Sequence, residues 1–185
     1  MSPILIKKIL DIYIKNKMKF VQMYGAAEAT ARMSYLSWND AQKKIGSIGK
    51  PISGGIFHLI NSSGKKIKKI NTKGELVYRG KNVCMGYAER LNDLSLGDIN
   101  KGLLKTGDIA YKDKNGFYFI VGRKNRYTKI FGARINLEEL ENILLKKGIE
   151  VYMREGIDNK IEIFFKNLSF AKKSISYLSK ITYIN

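Results

Sequence analysis

The chain has 185 residues, of which 44% are hydrophobic and 27% charged; this is enough apolar material for one core, or one core with a small second lobe, and it excludes wholesale disorder. Lys and Arg number 34 against 16 Asp and Glu, for a formal net charge of +18. The cations are mostly Lys and are spread along the chain, with the densest run only Lys65, Lys66, Lys68 and Lys69, which suits a solvated surface better than nucleic-acid recognition.

Cys84 is the single cysteine, so no internal disulfide forms. No apolar run reaches the roughly 18 residues of a membrane helix. The N-terminus is broken early by Lys7 and Lys8 and lacks the features of a signal peptide. A cytoplasmic protein without a membrane span is expected.

Ser2 and Pro3 make a helix start, Ser as N-cap and Pro at the first helical position. Leu5, Ile9 and Ile12, with Ile6, Leu10 and Tyr13, then recur at helical spacing. A short strand is predicted from Met18 to Tyr24, ended by Gly25 and followed by a loop carrying Glu28. Gly46-Ser47-Ile48-Gly49-Lys50-Pro51 reads as a turn cluster. Further strands are predicted over Ile56–Ile60, before the turn Asn61-Ser62-Ser63-Gly64, and over Glu75–Arg79, closed by Gly80. Leu104–Tyr111 and Phe117–Val121 form a predicted hairpin around Asn115-Gly116.

Tyr127–Phe131 is a short strand before a Gly132-Ala133 turn. Asn136 with Glu139 three residues on resembles a capping box. Leu137, Leu140 and Leu144 give the helix its apolar face, and Gly148 its C-cap. Two strands, Ile149–Arg154 and Lys160–Lys166, flank a Gly156–Asn159 turn, and Ser169–Ile181 is a last helix. The fold class expected is mixed α/β: a β-rich lobe over residues 1–123, a connection at 124–126, and a small α/β lobe over 127–185.

Several residues stand where a ligand could reach them. Tyr24 at a strand end could offer a flat face to a purine, and Gly25 exposes backbone beside it. Glu28 could hold Mg²⁺, a hard cation that prefers oxygen. Asp108, in Lys105-Thr106-Gly107-Asp108, could accept from two vicinal hydroxyls at once, as a ribose diol presents them. Arg123, after Gly122, suits ribose or phosphate through its planar fork. Asp113 and Asn115 before Gly116 lack the further ligands of a calcium loop. His58 lies in an apolar strand with no partner motif and reads as structural, and Cys84 reads as a small buried hydrophobe.

Taken together, Tyr24-Gly25-Ala26-Ala27-Glu28, Gly46–Pro51, Thr106-Gly107-Asp108, Gly122-Arg123 and Lys129-x-x-Gly132-x-Arg134 resemble the adenylate-forming ligases, the AMP-forming acyl-CoA synthetase family. The resemblance runs from about Met18 to Lys166 and covers only the later part of a family member. It implies that Tyr24 stacks on adenine, Glu28 contacts Mg²⁺, Asp108 binds the AMP ribose and Arg123 contacts the nucleotide. It implies a hinge at Asn125, and a turn carrying Lys129, Gly132 and Arg134 that swings to the active site for thioester formation.

ATP or AMP, Mg²⁺ and CoA are the implied cofactors and substrates, with a small carboxylic acid as the group activated. Two departures stand out. Ala27 occupies the place of a family Thr whose hydroxyl touches the AMP phosphate. The family's phosphate loop and tail lysine have no counterpart here. The expectation is a ligase fragment inactive alone. The alternatives are one subunit of a split ligase completed by an upstream chain, or a non-catalytic nucleotide-binding module. A nucleic-acid binder, motivated by charge alone, ranks last.

Overall fold

The computed structural model describes residues 3–130, 133–157, 160–165 and 168–178. The chain divides into two compact units, Met1–Val121 and Gly122–Asn185. The architecture is mixed α/β, with one large antiparallel sheet and few helices.

The first unit opens with helix α1 (Pro3–Lys15). Ile6 and Leu10, one turn apart, are buried against Leu36, Ala41 and Phe117, while Leu5 and Ile12 face solvent. The expected N-cap, Ser2, lies outside the described residues. The eight strands of the sheet are β1 (Gln22–Tyr24), β2 (Ser34–Leu36), β3 (Ser47–Pro51), β4 (Ile56–Ile60), β5 (Lys66–Ile67), β6 (Gly74–Arg79), β7 (Leu103–Lys112) and β8 (Tyr118–Arg123). Their order is β1-β2-β3-β8-β7-β6-β4-β5. A short helix, α2 (Trp38–Ala41), is capped by Ser37, whose hydroxyl accepts from the Asp40 amide.

Strand β6 is central: Leu76, Val77 and Tyr78 are all buried, the continuous pattern of a strand covered on both faces. Around Leu76 and Tyr78 gather Met33, Ile48, Phe57, Leu59, Ala110 and Tyr118. Phe57 meets Tyr24, Tyr78 and Tyr118 edge to face, the arrangement that ring quadrupoles favour.

Two local expectations change. The strand at Met18–Tyr24 shrinks to three residues, because only Gln22–Tyr24 finds partners on β2. Gly46–Pro51 is mostly strand rather than turn: Ser47–Pro51 joins β2 on one side and, through an irregular register, β8 on the other.

The second unit begins with an antiparallel pair, β9 (Tyr127–Ile130) and β10 (Ala133–Asn136). Phe131 and Gly132 lie outside the described residues. Helix α3 (Leu137–Leu145) follows, then β11 (Val151–Glu155) paired with β12 (Ile161–Phe165), and helix α4 (Leu168–Leu178). Asn159, Lys166 and the predicted helix end at Ile181 also lie outside. Leu137, Leu140, Leu144, Ile149, Met153 and Leu178 form its core. At the end of α3, Gly148 (φ 74) donates to Leu145 O and Ile149 to Leu144 O, both at 2.9–3.0 Å. That is a Schellman closure, with Ile149 and Leu144 joined in the core.

Candidate functional site

Tyr24 ends β1 half-buried, and the chain then doubles back. Met33 donates to Tyr24 O at 2.9 Å, and Ala29 and Ala31 both donate to Ala26 O. The closure is tight enough that any Cβ at Gly25 would overlap the Ala31 carbonyl. Gly25 is therefore required by close backbone approach, whatever else it does. Glu28 stands on the one-turn 3-10 element Ala27–Ala29 that this closure creates.

Asp108 comes from the opposite part of the sequence, in β7 after Gly107, which takes φ 72. Its amide donates to Thr106 Oγ1 (3.1 Å), and that hydroxyl donates to Leu76 O (2.9 Å). The Thr-Gly-Asp turn is thus pinned to central strand β6. Asp108 is only 5% exposed, and the Tyr24 hydroxyl donates to its Oδ2 at 2.6 Å. A buried carboxylate is costly unless hydrogen-bonded, so this bond accounts for part of how Asp108 is tolerated. The sheet brings together two residues that the sequence offers separately, one for its ring and one for its carboxylate.

Glu28 is held by a third segment. Cys84 donates its amide to Glu28 O at 2.7 Å, and the Tyr87 hydroxyl donates to Glu28 Oε1. This bond to a carboxylate raises the Tyr87 phenol above its ordinary value. Asn82 adds bonds from Nδ2 to Ala29 O (2.7 Å) and Arg32 O (3.1 Å). Neither Tyr87 nor Asn82 is legible as part of the site from local pattern. Glu28 and Tyr87 are 59 positions apart, and a lone Gly-Tyr pair carries no chemistry. Ala27, next to Glu28, is exposed.

In the second unit, Arg123 and Asn125 are exposed, and residues Lys124–Arg126 form a 3-10 turn. Lys129 and Arg134 are register partners across β9 and β10, while Gly132 lies outside the described residues. Arg126 does structural work that its sequence context does not announce. Its guanidinium pairs with Glu141 and donates to Met153 O at 2.6 Å. The same Glu141 oxygen accepts from the Met153 amide at 2.6 Å. A Cβ at Gly122 would stand 2.6 Å from Asn136 Nδ2, so the Gly-Arg pair needs its glycine for packing on the α3 cap.

The donors present fit a nucleotide with its metal. Among the described residues no group of three or more His, Cys, Asp or Glu could hold a metal by itself. A Mg²⁺ here fits as one carried by phosphates and water, with Glu28 as a single carboxylate ligand. Asp108, with one acceptor position given to Tyr24, fits a diol. No helix among the described residues is long and apolar enough to cross a membrane.

Residues 1–88 match the model of the family described as AMP-binding enzyme. A 2-succinylbenzoate–CoA ligase of Bacillus cytotoxicus is 32% identical over 139 residues, 75% of this chain and 28% of the relative. An indoleacetate–CoA ligase of Aromatoleum aromaticum is 30% identical over 145 residues, 77% of this chain and 28% of the relative. The chain therefore spans little more than a quarter of the length of these curated relatives.

Among solved structures, the O-succinylbenzoate coenzyme A synthetase of Bacillus subtilis in complex with AMP aligns with a TM-score of 0.70 at 25% identity, over 94% of this chain and 37% of that one. The same synthetase in complex with ATP and magnesium aligns at 0.67 and 26% identity, over 84% of this chain and 33% of that one. This chain belongs to the AMP-binding, adenylate-forming ligase family and corresponds to a C-terminal part of its members.

Proposed function

We propose that this chain supplies the nucleotide side of an AMP-forming acid–thiol ligase. In that reaction a carboxylate oxygen attacks the α-phosphate of ATP, giving acyl-AMP and releasing pyrophosphate. A thiol, that of CoA being the family's usual acceptor, then attacks the acyl carbon and expels AMP. Such chemistry asks a protein for position and charge stabilisation more than for proton transfer.

Tyr24 would lie against adenine, Asp108 would accept from the ribose hydroxyls, and Arg123 would contact the nucleotide. Gly25 allows the backbone to come close. Glu28 would ligate a Mg²⁺, whose contribution is to neutralise phosphate charge. Asn125 would serve as hinge between lobes 1–123 and 127–185, with Lys129 and Gly132 on the turn used in thioester formation. A cytoplasmic setting goes with this reading.

The single observation that supports it most is the 2.6 Å bond from Tyr24 to Asp108, because it draws the adenine and ribose elements into one place. Calorimetric titration of AMP into the purified chain tests it. Micromolar to millimolar binding is expected, weakened about tenfold in Asp108→Asn, the size of one charge-assisted hydrogen bond. Absence of AMP binding, or an Asp108→Asn variant that binds as the wild type does, rejects the reading.

We further infer that the 185-residue chain does not adenylate acids alone. The acyl pocket and phosphate loop would come from a segment upstream, in the same or a separate chain. ATP–pyrophosphate exchange with a panel of carboxylic acids decides this, and robust exchange would sink it. A second reading, a nucleotide-binding module without catalysis, is favoured by Ala27, which has no hydroxyl to donate to phosphate. Supplying the upstream part of a relative distinguishes the two: a split or cut ligase regains exchange, and a binding module does not.

A further inference from the structure

Glu28 stands on a single 3-10 turn, too short to hold a side chain rigidly by itself. Residues 82–87 grip that turn from outside. Asn82 bonds Ala29 O and Arg32 O, the Cys84 amide bonds Glu28 O, and the Tyr87 hydroxyl reaches the Glu28 carboxylate. The gripping segment is itself fixed. The Tyr78 hydroxyl donates to Asn82 Oδ1 at 2.8 Å, and Asn100 Nδ2 donates to Cys84 O at 2.9 Å. The amides of Ile99 and Asn100 close on Met85 O at 2.8 and 3.1 Å.

Of these contacts to the turn, only that of Tyr87 goes to the acid group. The rest fix backbone. Tyr87 is 70% exposed, so filling the core does not explain its place. A carboxylate offers about four lone-pair positions, and the Tyr87 hydroxyl takes one of them.

We propose that Tyr87 is a positioning residue: its hydroxyl orients the Glu28 carboxylate for a Mg²⁺-bound nucleotide. The inference rests on the role given to Glu28 above. Partners that hydrogen-bond a metal-ligating carboxylate fix its direction, and their loss typically lowers metal affinity 10–100-fold.

The experiment is calorimetric titration of the whole chain with ATP, in Mg²⁺ and in chelator, and with AMP in chelator. Wild type, Glu28→Gln and Tyr87→Phe are compared. Glu28→Gln is expected to abolish the gain in ATP affinity that Mg²⁺ confers. Tyr87→Phe is expected to cut that gain about tenfold, with a much smaller change in AMP affinity and an unchanged melting temperature.

A Mg²⁺ gain in Tyr87→Phe equal to or above wild type overturns the proposal while leaving Glu28 as the ligand. So does a variant that loses stability and weakens for AMP and Mg-ATP alike, since that is a structural role. If Glu28→Gln keeps the full gain, or wild type shows none, the role of Glu28 falls and takes this inference with it.

Discussion

Gly49 and Gly54 both take positive φ, 81° and 78°, but a side chain would meet different surroundings at each. At Gly49 a Cβ overlaps the Tyr35 carbonyl across the β2–β3 pair, whereas at Gly54 there is open space. Gly54→Ala is therefore expected to cost only the left-handed penalty, about 1–2 kcal/mol. Gly49→Ala adds backbone displacement and should cost about 3 kcal/mol or more. Urea unfolding of the two variants checks the difference; equal losses would mean that packing at Gly49 relaxes.

His58 is the chain's single histidine. Burial, then the charges of Lys66 and Arg79, hold its imidazole below its ordinary value of 6.5. A depressed value means the unfolded chain binds the proton more readily. Stability is thus full above pH 6.5 and falls as pH drops through the folded value. One imidazole resonance titrating below 6.5 is expected by NMR, and His58→Gln should flatten the stability slope between pH 6.5 and that midpoint.

Helix α3 shows what a sequence reveals by itself. Asn136 is buried and its side chain accepts from the Glu138 and Glu139 amides at 3.0 and 3.3 Å. Leu137, Leu140 and Leu144 line the core, and Gly148 closes the end. Cap, stripe and stop are all local, so the element is legible before any fold is known. Asn136→Ala should cost about 1–2 kcal/mol in the unfolding of this unit, read by denaturant titration; a loss under about 0.3 kcal/mol would mean solvent replaces the cap.

Strand β3 is the contrary case. Its glycines and Pro51 look like a turn, and its strand character comes from pairing with β2 and with β8, whose Phe119 stands opposite Ser47. Side chains seal that distant pairing: Ser47 donates to Tyr118 O at 2.8 Å, and Ser34 to Ile48 O at 2.6 Å. The candidate site divides in the same way. The types and turns of Tyr24, Gly25, Glu28 and Asp108 are visible in sequence. The bond joining Tyr24 to Asp108, across 84 positions, exists only once the sheet has formed.

At the scale of the whole molecule, apolar burial is partitioned. Two clusters of buried residues, around Leu76–Tyr78 and around Ile6–Leu10, draw only on residues before 121, and a third draws only on residues from 135 to 178. A core contributes cooperativity to the residues that share it. The second unit is small, a size at which one core gives only modest stability. Truncating Leu144, fully buried at the centre of the third cluster, removes about 2–5 kcal/mol, enough to unfold a marginal unit outright. Leu144→Ala should therefore abolish slow hydrogen exchange in α3, β11 and β12 while amides of β4, β6 and β7 keep wild-type protection. Loss of protection across the sheet strands as well would show that the three clusters unfold as one cooperative body, and that the partition of burial does not partition stability.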